Sequence, residues 1–351
     1  MAGFTSFSGK SRIVANDAAL RHATFSEIPI ISLSAPLPEL IDQLRNACTK
    51  VGFFYIKDHD VPQKVINDTF ECAQNFFSLQ RDVKDEVHYK KSAILRGYEP
   101  PAEVRTDETK KADMNEAFNW GYSSDLDPIA SGSSRSLEET QVPNAMTGPN
   151  AWPTVRGFKP TLAAYYGEVL TLARRLIRLF AQVLDLPPTY FDHMFAHPGA
   201  MCRILHYPPQ PPTSSAFGIG AHTDIECFTI LCQGTQPALQ ILNTDGEWIS
   251  APPIPGTFVV NIGDMLSYWS NDLFVSTVHR VLNVTGEERY SIPFFMGPNY
   301  ETVVEPLEGC VKEGKKNYES VLAGDYVWRR LAKSRFSDEE YQKMFSKETT
   351  A

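Results

Sequence analysis

Gly218-Ile219-Gly220-Ala221-His222-Thr223-Asp224 is the stretch on which the reading of this chain turns. Strand side chains alternate with a period of two, so if His222 and Asp224 share a strand, an imidazole and a carboxylate face one side and can share a cation. Fifty-five residues after Asp224 comes Val278-His279-Arg280, inside a second strand-like run. Two histidines and a carboxylate make the facial set that holds non-haem Fe(II) and leaves coordination positions open. Ten residues beyond His279, Arg289-Tyr290-Ser291 repeats the i, i+2 placement. A guanidinium beside a hydroxyl in an apolar barrel is a receptor for a carboxylate, which it engages through charge-assisted hydrogen bonds.

The surrounding texture supports strands. From Met201 to Met296, short β-rich runs (Arg203–Tyr207, Phe228–Cys232, Leu239–Leu242, Thr257–Ile262, Ser276–Val284, Ser291–Met296) alternate with Gly, Pro and Asn-Thr-Asp-Gly turns. That rhythm predicts an antiparallel sandwich or barrel. Upstream, Ile28 opens a strand, Pro38 to Lys50 a helix, Phe53 to Lys57 a strand, and Val61-Pro62 a helix reaching Phe77. The strongest helix runs from Pro160 to Leu184, where Leu162, Tyr165, Val169, Leu172, Leu176, Leu179 and Val183 recur at alternating spacings of three and four, and Pro187-Pro188 stops it. Tyr326 to Phe345 is again helical in composition. The chain thus reads as one catalytic unit over 1–351, with a mixed α/β region at 25–125, a long loop or lid-like insertion at 123–153, a β-rich core at 200–300 and a helical segment at 312–351.

Composition narrows the function. The 351 residues are 42% hydrophobic and 21% charged, with 21 Gly and 25 Pro, as expected of a compact enzyme-sized globule. A formal charge of −9 gives a polyanion no net attraction, so nucleic acid is not an expected partner. Six scattered cysteines without a CxxC pair read as reduced thiols. With no apolar leader in the first residues and no run approaching the roughly 20 apolar residues of a membrane span, the expectation is a cytoplasmic protein with no membrane partner. Oligomeric state is left open, with a monomer compatible.

The order His222-x-Asp224, His279, Arg289-x-Ser291 resembles the Fe(II)/2-oxoglutarate-dependent dioxygenases, specifically the isopenicillin-N-synthase-like group. Gly52–Pro62, Gly148–Pro153, Ile204–Pro211, Pro237–Leu242 and Phe258–Leu266 resemble further blocks of that family in the same order, and the phrasing HYPPQP and APPIPGTFVVNIGD is most similar to fungal members. The resemblance implies a mainly β fold with flanking helices, a double-stranded β-helix or jelly roll of cupin-like form. It implies that His222, Asp224 and His279 bind Fe(II), that Arg289 and Ser291 hold the distal carboxylate of 2-oxoglutarate, and that Tyr207 adds a hydroxyl hydrogen bond. Many plant relatives carry Asn two residues before that Tyr, where this chain has Leu205. The implied activity consumes O2 and 2-oxoglutarate, releases succinate and CO2, and hydroxylates, desaturates or cyclises a small organic molecule such as a secondary metabolite. Placement of the substrate carbon selects among these outcomes.

Plainer readings stand beside these. His22, His59, His88, His193, His197 and His206 are read as structural, Asp264 as a turn residue, and Cys227 and Cys232 as core. Arg289 has the alternative of a surface ion pair with Glu287 or Glu288. Gly309–Lys315 imitates a phosphate loop but has Lys316 where Ser or Thr is needed, and Gly218-x-Gly220 lacks the third glycine of a dinucleotide loop. The family's pocket implies Arg96, Tyr98, Phe118, Phe295, Tyr326 and Phe336 as substrate contacts, each equally readable as core. Two further functions remain: an isopenicillin-synthase-like or ethylene-forming-type oxidase on the same fold, and a non-catalytic cupin-like protein whose triad holds structural Zn²⁺.

Overall fold

The computed structural model describes residues 2–5, 10–14, 16–23, 27–107, 110–130, 146–211, 217–283 and 285–345. Two sheets face each other. The larger runs Ile30–Ser32, Phe53–Lys57, Phe258–Ile262, Phe228–Gln233, Arg289–Met296, Met201–Tyr207, Glu116–Gly121, Gly97–Glu99 in spatial order. The smaller runs Asn16–His22, Glu247–Ser250, Leu239–Leu242, His279–Val281, Ile219–His222. Nearly every pairing is antiparallel; Ile30–Ser32 on Phe53–Lys57 and Asn16–His22 on Glu247–Ser250 are parallel. This is the antiparallel sandwich that the β-rich rhythm led us to expect, in the jelly-roll form with flanking helices that the family resemblance implied.

Alternation along the large sheet divides its two faces. On Met201–Tyr207, Cys202 and Ile204 join the apolar cluster shared with the helices, whereas Met201, Arg203 and Leu205 face a cavity. On Arg289–Met296, Ile292, Phe294 and Met296 face the helices, and Pro293 and Phe295 the cavity. Helices Leu37–Lys50, Gln63–Phe77 and Phe158–Val183 cover the outer face. The longest buries Leu162, Tyr165, Tyr166, Val169, Leu170, Ala173, Leu176, Ile177 and Phe180, a stripe recurring every three to four residues. A second cluster fills the space between the sheets, with Phe53, Tyr55 and Val259 meeting Leu239, Ile241 and Ile249. The barrel is therefore closed by packed side chains at one end, and its polar groups gather at the other.

Several elements differ from expectation. The run predicted over Ser276–Val284 is strand only at His279–Val281, and Val284 lies outside the described residues. Glu247–Ser250 and the six-residue helix Asp264–Trp269 carry no periodicity long enough to be read from sequence. The helical stretch Tyr326–Phe345 is two helices, Ala323–Arg335 and Asp338–Phe345. Ser337 divides them by capping the second: Glu340 N–H donates to its hydroxyl at 3.3 Å, while its own N–H donates to the Glu340 carboxylate at 2.8 Å. Of the expected 123–153 insertion, Ser124–Leu126 forms a short 3₁₀ turn and Met146 is buried; residues 131–145, about half of the expected lid, lie outside the described residues.

Candidate active site

Strand pairing between the two arms of the small sheet brings the histidines together. Residue His279 is the register partner of His222, and their ring centroids are 4.2 Å apart. Asp224 is not on the strand with His222, as the period-of-two argument expected, because that strand ends at His222. The following turn carries the carboxylate instead, and Oδ1 comes to rest 3.6 Å from His222 Nε2 and 3.7 Å from His279 Nε2. One ligand atom from each of the three residues lies within 4.8 Å of the other two.

The surroundings orient each of these atoms. Asn261 Nδ2 donates to Asp224 Oδ2 at 2.6 Å, and the Thr229 hydroxyl donates to the same oxygen. With Oδ2 occupied, Oδ1 is the oxygen left for a cation. His222 Nδ1 lies 2.8 Å from the Gly220 carbonyl and His279 Nδ1 3.2 Å from that of Thr277. A carbonyl only accepts, so Nδ1 carries the proton and the Nε2 lone pair faces the shared point. Burial followed by the charge of His222 brings the His279 pKa down to about 4, while Asp224, against its own burial, is held below the usual carboxylate range by His279 and His222. Against its own burial, the His222 pKa is raised by Asp224, so a metal at the shared point would displace a proton from it; with two nitrogens and one oxygen the donor set suits Fe(II).

Arg289 and Ser291 share a face, as the i, i+2 argument expected, and Tyr207, named by the resemblance, meets them there. Arg289 pairs with Tyr207 across two strands, its guanidinium 4.5 Å from the Tyr207 ring centre; Nη1 lies 3.5 Å from Ser291 Oγ, which is 3.5 Å from the Tyr207 hydroxyl. At 1% exposure Arg289 is no surface residue, and no carboxylate among the described residues pairs with it; its Nε is buried without a partner. A desolvated guanidinium so placed calls for an anion, which fits the carboxylate of 2-oxoglutarate. Gly218 makes room, since a Cβ there would fall 2.7 Å from the Tyr207 ring. Leu205 packs beside Ala117, Tyr207, Ala238 and Val281, an apolar wall where many plant relatives have an amide.

A cavity of about 660 Å³ adjoins His222 and Asp224. Its walls include Met201, Arg203, Leu205, Ile225, Glu226, Pro293 and Phe295 from the barrel, and Arg330, Leu331 and Arg335 from the Ala323–Arg335 helix. Of the six sequence-derived substrate candidates only Phe295 is in the wall. Arg96 is turned away, donating to the Gly148 carbonyl at 3.0 Å and Asn150 Oδ1 at 3.1 Å. Tyr98 donates to Glu116 at 2.6 Å, and Phe118 lies in an aromatic cluster with Phe76, Trp120, Trp152 and Phe158. Tyr326 donates to Asp264 at 3.2 Å, and Phe336 ends its helix against the core. The C-terminal helix does reach the pocket, but with arginines in place of the aromatics expected.

Asp264 is more than a turn residue. It starts the short helix and accepts from Arg330 Nη1 at 2.7 Å, Ser276 Oγ at 2.7 Å and Thr223 Oγ1 at 3.2 Å, tying the C-terminal helix to the turn that carries Asp224. Three of the histidines read as structural have partners away from the triad: His59 stacks on Phe258, His206 meets Glu116 at 2.8 Å and His88 meets Glu103; the side chain of His22 lies outside the described residues. Cys227 and Cys232 are buried, and burial pushes both thiols up.

Known proteins share this arrangement. Residues 28–155 match the family described as non-haem dioxygenase in morphine synthesis N-terminal, and residues 198–298 match the 2OG-Fe(II) oxygenase superfamily. A 2-oxoglutarate-Fe(II) type oxidoreductase of Metarhizium rileyi is 37% identical over 89% of this chain and 88% of its own. The homoarginine-6-hydroxylase of Glycine max is 33% identical over 86% of this chain and 96% of its own. The crystal structure of a full-length Neurospora crassa protein in complex with alpha-KG and thymine superposes with a TM-score of 0.74 at 27% identity, covering 87% of this chain and 96% of that one. Similarity of this extent, over both halves of the chain, makes the protein a member of the 2OG-Fe(II) oxygenase superfamily, an oxidoreductase that works with Fe(II), 2-oxoglutarate and O2.

Proposed function

We propose that His222, Asp224 and His279 hold the Fe(II), that Arg289, Ser291 and Tyr207 hold the distal carboxylate of 2-oxoglutarate, and that the adjoining cavity receives a small organic molecule. The observation carrying this reading is the pairing of a metal-sized donor set with a buried guanidinium that has no carboxylate partner among the described residues. Bound Fe(II) with 2-oxoglutarate and O2 supplies oxidising power sufficient for an unactivated C–H bond. The chain's own residues do the positioning. Asn261 and Thr229 aim the Asp224 oxygen, the carbonyls of Gly220 and Thr277 fix the imidazole tautomers, and the apolar wall of Leu205, Pro293 and Phe295 excludes water.

Relatives act on or bind nitrogen-rich small molecules, homoarginine by the name of one and thymine in the crystal structure of another. That supports a secondary or amino-acid-derived metabolite as the substrate, with hydroxylation, desaturation or ring closure as the outcome. We further infer one catalytic unit comprising the whole chain, because the cavity takes residues from Thr5 to Arg335. A single chain supplies all these walls, so a monomer suffices. The cytoplasm suits the six cysteines, all unpaired. Among the described residues no helix is long and apolar enough to cross a membrane.

The test is anaerobic addition of Fe(II) and then 2-oxoglutarate to folded protein. A visible metal-to-ligand absorption band is expected in the wild type; it disappears in His279→Ala with loss of iron and needs more 2-oxoglutarate in Arg289→Ala. Wild-type succinate release by both variants would refute these assignments.

A further inference from the structure

Glu226 is a carboxyl group for which the iron site has no use. Its exposure is 4%, yet it lines the cavity two residues beyond Asp224. The backbone around it is strapped to the Asp264–Trp269 helix: the N–H of Asp264 donates to Asp224 O at 2.8 Å, that of Met265 to Glu226 O at 3.3 Å, and that of Gly263 to Cys227 O at 2.9 Å. A Cβ on Gly263 would fall 2.2 Å from the Glu226 carbonyl oxygen, so only glycine permits this approach. The side chain lies over Gly297, where a Cβ would be 3.0 Å from Glu226 Cγ. The position is therefore fixed before anything binds. Despite this, among the described residues the Glu226 carboxylate is reached only by its own backbone N–H. A buried carboxyl that no other described residue donates to has acceptor capacity left for a ligand in the cavity it lines.

The same cavity carries two guanidiniums that share one counter-ion. Arg203 and Arg335 line it and share one carboxylate, Glu99, which accepts from Arg203 Nη2 at 2.6 Å and from Arg335 Nε at 2.7 Å. Two guanidiniums on one buried carboxylate leave one positive charge over. Arg330 is matched by Asp264 and adds none.

We propose that Glu226 is the specificity-determining residue of the substrate site: it receives an N–H donor of the substrate, while Arg203 and Arg335 receive that molecule's carboxylate or carbonyl oxygen. The inference rests on the iron and 2-oxoglutarate reading above and names its substrate class, a small nitrogenous molecule with an N–H at one end and an anionic or carbonyl oxygen at the other. An N–H donor satisfies the buried acceptor, and a cationic one also compensates its charge, which a hydroxyl does not. Fixing that nitrogen beside Asp224 sets which carbon faces the metal.

The test uses the full chain loaded with Mn(II) and 2-oxoglutarate, and a fragment library sorted into N–H donors, O–H donors and molecules with neither. The library includes the matched sets thymine and 1,3-dimethylthymine, and 6-aminohexanoate, 6-hydroxyhexanoate and hexanoate. Binding is read by calorimetry and ligand-observed NMR. Binders are expected among the N–H donors, weakened about tenfold or more by Glu226→Leu. The isosteric Glu226→Gln keeps neutral lactam-type binders and loses cationic amines. Binders spread evenly over the three classes, the absence of any N–H binder, or N–H binders indifferent to Glu226→Leu would each overturn the proposal. The anaerobic Fe(II)–2-oxoglutarate absorption band, recorded on every variant, reports separately on the iron site: its absence from the wild type counts against the earlier reading, whereas a normal band with unselective binding counts against this one.

Discussion

Replacing Asn261 by alanine tests whether the tertiary surroundings of Asp224 make the metal site. Asn261 is 2% exposed and its amide donates to Asp224 Oδ2 at 2.6 Å. Without it, that oxygen keeps only the Thr229 hydroxyl, and the carboxylate is free to rotate away from the two Nε2 atoms. A hydrogen bond to an ionised group contributes about 1.5–3 kcal/mol, which corresponds to roughly 10- to 150-fold in a binding constant. Mutation of groups that orient metal ligands costs about 10- to 100-fold in metal affinity, so two independent routes agree. Because Thr229 remains, the lower part of that range, about 10- to 30-fold, is expected. Calorimetric titration with Mn(II), repeated anaerobically with Fe(II), gives the affinity, and thermal unfolding of the metal-free variant shows whether the fold has survived. Metal affinity within twofold of wild type in a folded Asn261→Ala protein would refute the argument that Oδ2 is pinned so that Oδ1 can coordinate.

Three other outcomes follow from the geometry. Arg289→Ala should weaken 2-oxoglutarate binding by about 10- to 150-fold while leaving Mn(II) affinity near wild type, measured by the cosubstrate dependence of the absorption band. Gly218→Ala pushes a methyl into the Tyr207 ring and should raise the 2-oxoglutarate requirement several-fold, read in the same titration; an unchanged requirement would remove Tyr207 from the cosubstrate site. Glu99, though burial opposes it, is held below the usual carboxylate range by Arg203 and Arg335. Its contribution to stability is therefore present above the unfolded-state pKa near 4.3 and is lost as the pH falls through the lower folded value. Arg335→Met removes one partner of this buried group and should cost about 3 kcal/mol. Acid unfolding followed by circular dichroism should then begin at a higher pH than in the wild type.

Residues close in sequence were the ones most readily recognised. Arg289 and Ser291 lie two apart on a regular strand, where alternation is reliable, and their shared face was legible without a structure. His222 and Asp224 are also two apart, yet a turn rather than a shared strand face brings them together, so the pattern paired residues that do converge but by another geometry. The helix Phe158–Val183 was legible because its apolar stripe is long, whereas Asp264–Trp269 was not, being six residues and wholly buried. Substrate contacts were the least legible. Arg96, Tyr98 and Phe118 sit on or next to strands whose inward or outward sense depends on which layer covers them, and periodicity alone cannot supply that. Asn261 and Thr229 left only a weak signal, polar residues inside the apolar runs Phe258–Ile262 and Phe228–Gln233, where an unpaired polar group would be costly.

By itself the sequence determined the β-rich core, the helix that covers it, and the order of the candidate metal ligands and of the Arg289–Ser291 pair. These are local: each depends on side-chain type and on spacing along one segment, and backbone stereochemistry converts spacing into a face. Only the tertiary structure decided what meets across segments. His279 reaches His222 through a pairing 57 positions apart, Asn261 reaches Asp224 from another strand, and Arg335 reaches Glu99 across the chain. Glu226 belongs with these, because a carboxyl becomes a recognition group only when the fold buries it beside a cavity and no other side chain donates to it.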